Sequence, residues 1–144
     1  MDVKMIFCEQ DYPKILDEIL SFALMKFSKL DGGIELLFID SAKMQELNFK
    51  QRAKNNPTDV LSFPYEQGFI DLLGSIVICV DFVKQKADEL KHSQDDEIAL
   101  LFTHGLLHIL GFDHENDSGQ MREAEHLIIS HFNLPKSLII RNSN

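Results

Sequence analysis

Short apolar runs alternate along this chain with stretches whose apolar residues recur at helical spacing, and 144 residues leave room for only one core to reconcile them. Val3 to Cys8 reads as a strand; Asp11 and Pro13 then open a helix on which Ile15, Ile19, Phe22 and Ala23 share a face. Asp31-Gly32-Gly33 is a turn, and Ile34 to Ile39 a second strand. Ser41 is expected to cap a short helix through Leu47, followed by a polar loop from Lys50 to Thr58. Val60 to Phe63 is a short strand stopped by Pro64, and Leu72 to Val80 a longer one. Asp81 is expected to cap a helix to about Lys91. Ser93 caps the next, which runs to Gly111, and Asp117 with Gln120 suggests a capping box for a last helix to about His131. Strands alternating with helices imply an α/β fold: one domain over residues 1–144, with a small mixed sheet of about four strands packed by about five helices. One strand should run antiparallel, because Leu61 and Leu72 are joined without a helix between them.

Composition narrows the setting. A chain 44% hydrophobic and 26% charged belongs to the ordinary globular class. No apolar stretch approaches the roughly 18 residues that span a bilayer, and Asp2, Glu9 and Asp11 interrupt the N-terminal apolar run, so neither membrane nor export is expected and the protein should be cytoplasmic. Cys8 and Cys79, each among apolar neighbours, read as buried free thiols. A net charge of −9 excludes non-specific coating of nucleic acid, DNA included. Any nucleic-acid substrate must be held by a local basic patch and a metal.

The segment His104-Gly105-Leu106-Leu107-His108-Ile109-Leu110-Gly111-Phe112-Asp113-His114 carries the chemistry. Two histidines four apart on a helix are one turn removed and about 40° apart, so both imidazoles reach one ion. Gly111 permits the reversal that returns His114 to the same ion. Three imidazoles leave a fourth position open, the arrangement of catalytic rather than structural zinc, with one Zn2+ per chain expected. Ile98, Leu101, Phe102, Gly105, Leu106 and Ile109 form the apolar stripe of this helix; His104 and His108 fall to one side of it, and Glu97 points roughly the same way. His92, His126 and His131 show no such pattern and read as surface residues or neighbours of the ligands.

The spacing is shared with proteases of pattern H-E-x-x-H-x-x-G-x-x-H, in which the glutamate takes a proton from metal-bound water. Gly105 occupies that position and cannot do so. Asp113 is either a substitute base or, better, a residue that orients a histidine. Lys50, Arg52 and Lys54 concentrate positive charge in a chain short of it; they form either a solvated surface run or a clamp in which the Arg52 fork grips a phosphate. Phe63 and Tyr65 are the nearest aromatics for base stacking, and fit the core equally well.

With these residues laid out, the chain resembles the YbeY family of bacterial rRNA-maturation endoribonucleases. His104 to His114 fits the family signature H-G-x-L-H-x-x-G-x-D-H at every fixed position. Leu47-Asn48, Arg52 and Pro57 to Pro64 resemble a second motif, Leu73-Gly74 before Ile76-Val77-Ile78 a third, and Met121 with Glu125 the pattern after the last histidine. The resemblance implies a zinc-dependent endoribonuclease preferring single strands, acting in maturation of the 3′ end of small-subunit rRNA and in ribosome quality control. Its partners would be rRNA and the ribosome or small-subunit proteins. It implies His104, His108 and His114 as metal ligands and Arg52 as the catalytic arginine; the charge of the loop itself suggests that Lys50 and Lys54 position the strand. Gln51 stands where the family often has Tyr, and Ser75 where it usually has Asp. A metalloprotease, opposed by Gly105, and a non-catalytic ribosome-associated zinc protein are the alternatives.

Overall fold

The computed structural model describes residues 5–27, 32–66, 71–113 and 115–135. In chain order these form β1 (Ile6–Phe7), α1 (Ile15–Phe27), β2 (Gly33–Ile39), α2 (Ser41–Arg52), β3 (Val60–Pro64), β4 (Leu72–Cys79), α3 (Val80–Leu90), α4 (Gln94–Ile109) and α5 (Gln120–Phe132). The sheet order is β1-β2-β4-β3. β1, β2 and β4 are parallel, and β3 runs antiparallel to β4, so the mixed four-strand sheet with five helices follows the expectation. The N-terminal half of the expected first strand, and the turn at Asp31, lie partly outside the described residues.

Alternation along the strands divides the apolar side chains between two faces. Ile34, Leu36, Ile76 and Ile78 join Leu16, Ile19 and Leu20 of α1 and Leu101, Phe102 and Leu106 of α4 in the main core. Leu61, Val77 and Cys79 turn to the opposite face, which Met44 of α2 covers at the end where the parallel strands finish. The rest of that face is more open: Glu35 is exposed and Leu37 is 45% exposed. Cys79 is a buried free thiol and Cys8 a half-buried one.

Helix starts depart from expectation in two places, for one reason. α2 begins at Ser41, but its cap is Asp40, whose Oδ1 accepts from the Lys43 amide at 2.9 Å. The helix also runs on to Arg52, taking in Lys50, before Ala53 ends it in a left-handed conformation. α3 follows β4 directly from Cys79 with no side-chain cap, leaving the Asp81 carboxylate in its first turn free to serve elsewhere. It accepts from both the amide and the hydroxyl of Ser41, joining the starts of α2 and α3. Those two bonds, the hydroxyl's first, hold the Asp81 pKa below its ordinary value. Ser93 does cap α4, accepting from the Asp96 amide at 3.0 Å. At α5, Asp117 accepts from the amides of Gly119 and Met121, and Gln120 from that of Ser118, a relative of the box read from sequence.

Candidate functional site

α4 carries His104 and His108, and nine of its 16 residues are buried. Its first turn is fastened by Glu97, which is fully buried and lies 2.7 Å from His92 Nε2. Its middle presses against the sheet: a Cβ built on Gly105 would stand 3.2 Å from Ile76 Cγ2 and 3.5 Å from Val60 Cγ2. A larger residue would crowd the Ile76 side chain, which favours glycine where the protease pattern has glutamate. The same close approach puts His104 and His108, on either side of Gly105, at the border between α4 and the β3 edge.

The two imidazoles stand nearly perpendicular, with ring centroids 4.7 Å apart and Nε2 atoms 3.2 Å apart. His108 Nδ1 lies 3.1 Å from the Phe112 carbonyl oxygen, which can only accept, so this nitrogen carries the proton. His104 Nδ1 lies 3.6 Å from Glu125 Oε2, a buried carboxylate on α5 that favours a proton on the same ring position. In the neutral rings both Nε2 atoms then present lone pairs to each other across 3.2 Å. Two lone pairs so placed need a shared electrophile. Zinc–nitrogen distances of about 2.0–2.1 Å in a tetrahedron set neighbouring ligand nitrogens roughly 3.3–3.4 Å apart, so the pair fits a zinc ion closely. His114 lies outside the described residues, and among the described residues no group of three or more His, Cys, Asp or Glu gathers around one point.

The pair opens onto a cleft of about 610 Å3 between α4, β3 and the end of α2, where Arg52, Thr58, Asp59 and Ser62 face His104 and His108. Arg52 reaches it because α2 continues five residues past Leu47. Lys50 and Lys54 are exposed and lie outside the cleft lining. Asp113 lines it, but its carboxylate also accepts from the Glu115 amide and the Asn116 side chain. Phe63 packs in the second core cluster, and the Tyr65 hydroxyl bonds with Ser75 and Glu35 on the more open sheet face, so neither aromatic turns toward the histidines. His131 stacks on Phe22 at 4.2 Å and His126 is exposed. Sequence reading assigned no task to Glu125, although a signal was present: it shares the stripe of Met121, Ala124, Ile128 and Ile129, and a carboxylate on an apolar stripe needs a buried partner.

An open-edged α/β sheet thus brings a histidine pair and an arginine onto one cleft. The family model for Endoribonuclease YbeY matches residues 2–133. A Campylobacter jejuni protein named Endoribonuclease YbeY is 56% identical over 127 residues, 88% of this chain and 90% of its own length. A Campylobacter fetus protein of the same name is 53% identical over 138 residues, 96% of this chain and 98% of its own length. The solution structure of TM1509 from Thermotoga maritima shares the fold, with a TM-score of 0.60 at 24% identity over 90% of this chain and 92% of that one. The chain belongs to the Endoribonuclease YbeY family.

Proposed function

We propose that this chain is a cytoplasmic, zinc-dependent endoribonuclease that cleaves single-stranded rRNA at the 3′ end of the small subunit, during its maturation and in ribosome quality control. The observation that carries the metal reading is the facing His104 and His108 Nε2 atoms, 3.2 Å apart and opening on a cleft shared with Arg52. His104, His108 and His114 would hold the ion. When bound, zinc supplies Lewis acidity toward a phosphoryl oxygen or a water of lowered pKa.

The chain's own residues supply the rest. Phe112 and Glu125 keep the Nδ1 protons in place, so both Nε2 atoms remain available as ligands. Arg52 donates to the scissile phosphate and neutralises charge that grows on its oxygens as the bond to the attacking group forms. Lys50 and Lys54, on the exposed flank of the same helix end, attract the strand on either side. No glutamate stands beside the pair at position 105 to act as a peptidase base, which favours RNA over peptide.

Metal analysis and cleavage of a single-stranded oligoribonucleotide by wild type, His108→Ala and Arg52→Ala test this together. Wild type is expected to carry about one zinc, as three ligands and one open position require. His108→Ala loses metal and cleavage. Arg52→Ala keeps the metal but loses about 10²–10³-fold in kcat/KM, with a shallower salt dependence. Full cleavage by metal-free His108→Ala would refute the metal role, and an unchanged Arg52→Ala the role of the arginine.

A further inference from the structure

Among the described residues β3 is an edge strand, paired with β4 alone. Its ladder shows which backbone groups remain for other use. The Cys79 amide donates to the Asp59 carbonyl, and the Tyr65 amide to the Leu73 carbonyl, both at 2.9 Å. In an antiparallel pair, alternate residues face the partner, so Leu61 and Phe63 also turn their amides to β4 and Val60, Ser62 and Pro64 turn theirs outward. The outward side is a wall of the cleft that holds His104, His108 and Arg52.

Only one outward N–H is on offer. The Val60 amide donates to its neighbour Asp59 Oδ1 at 2.8 Å, and Pro64 has no amide hydrogen. That leaves the Ser62 N–H and C=O side by side. A peptide adding to this edge would need donors and acceptors repeating along it, and finds them at one residue only. A nucleobase needs just one adjacent donor and acceptor, which the base-pairing edge of every standard base can meet.

We propose that the Ser62 backbone is a base-binding position: its N–H and C=O take the base-pairing edge of one unpaired nucleotide while the neighbouring phosphate lies at Arg52 and the histidine pair. This rests on the RNA-cleaving reading above. It also gives a physical origin for single-strand preference, because a base inside a duplex has already committed that edge.

Ser62→Pro removes the N–H without disturbing β4, since this amide points away from the ladder; Ser62→Ala removes only the hydroxyl. With a single-stranded oligoribonucleotide, Ser62→Pro is expected to raise Kd and KM about tenfold, the worth of one lost hydrogen bond of about 1.4 kcal/mol, and Ser62→Ala clearly less. Zinc content and melting temperature should stay near those of wild type. A scan placing one abasic nucleotide along the oligomer should find one position that costs wild type about tenfold more than it costs Ser62→Pro, which has only the carbonyl bond left to lose. Should Ser62→Pro fold poorly, the scan is repeated on wild type with N1-methyladenosine or N3-methyluridine, whose pairing edges are blocked. Equal binding by Ser62→Pro and Ser62→Ala overturns the proposal, as do an abasic penalty undiminished in Ser62→Pro and a wild type indifferent to blocked bases. So does efficient competition by an extended peptide, which would assign the edge to protein. In each of these cases a wild type that still cleaves RNA and a His108→Ala variant that does not would leave the endoribonuclease reading intact.

Discussion

Replacing Gly105 by alanine sets two physical effects against each other, and the structure says which should win. Mid-helix, alanine is favoured over glycine by about 1 kcal/mol, so on propensity alone the variant would be more stable. The added Cβ, however, would sit 3.2 Å from Ile76 Cγ2 and 3.4 Å from Ile76 Cγ1, short of the roughly 3.5–4.0 Å at which carbons pack best. Ile76 has no room to withdraw: it is fully buried on β4, which is flanked by β2 and β3. Overpacking of this kind costs about 1–3 kcal/mol, leaving a net loss of about 1 kcal/mol. In a domain of this size that lowers the melting temperature by about 2–5 °C. Urea unfolding followed by far-ultraviolet dichroism should show a lower midpoint at unchanged slope. Because the strain is relieved by lifting α4 from the sheet, the histidine pair moves relative to Arg52, and cleavage should fall more than stability. A variant stabilised by about 1 kcal/mol would refute the reasoning, since propensity would then have gone unopposed. Gly105→Glu, which writes in the protease pattern, should be worse on both counts and should gain no peptidase activity.

Two other perturbations test parts of the molecule that the first leaves alone. Glu125→Gln, which keeps the shape but not the charge beside His104 Nδ1, should weaken zinc binding by about 10–100-fold in a chelator competition; unchanged affinity would show that the carboxylate does not orient the ring. The Tyr12 hydroxyl is raised to about 12, by burial first and then by its hydrogen bond to Asp17. Between its ordinary 10.0 and about 12 the unfolded chain has released a proton that the folded one keeps. Stability should therefore fall as pH rises through that window, and Tyr12→Phe should flatten this decline in melts at stepped pH.

How far the sequence reached depended on whether a feature was periodic. α4 was legible from Ser93 to Gly111 because its cap, apolar stripe and terminal glycine agree, and both described histidines stand where that helix puts them. α2 was not: Met44 and Asn48 are its buried residues, so no stripe marked its passage beyond Leu47, and Arg52 was read as a loop residue. Phe63 and Tyr65, near Arg52 in sequence, suit substrate or core equally on sequence alone; strand parity decides it by turning both to the other sheet face. Strand order leaves no periodic trace at all. That β3 lies at the edge, with Ser62 outward, depends on β4 pairing with both β2 and β3, and only the folded ladder shows it.

The Ser41–Asp81 contact has a mechanical side. It pins the first turn of α2 to the first turn of α3, while Arg52 rides at the far end of α2, a helix of 12 residues. At 1.5 Å per residue α2 is a lever about 18 Å long, and a swing of only about 5° at the pinned end carries the arginine about 1.5 Å. Displacements near 1 Å can cost a reaction about 100-fold, so a hydroxyl and a carboxylate at the other end of α2 set the aim of Arg52, the one cation among the described residues that lines the cleft.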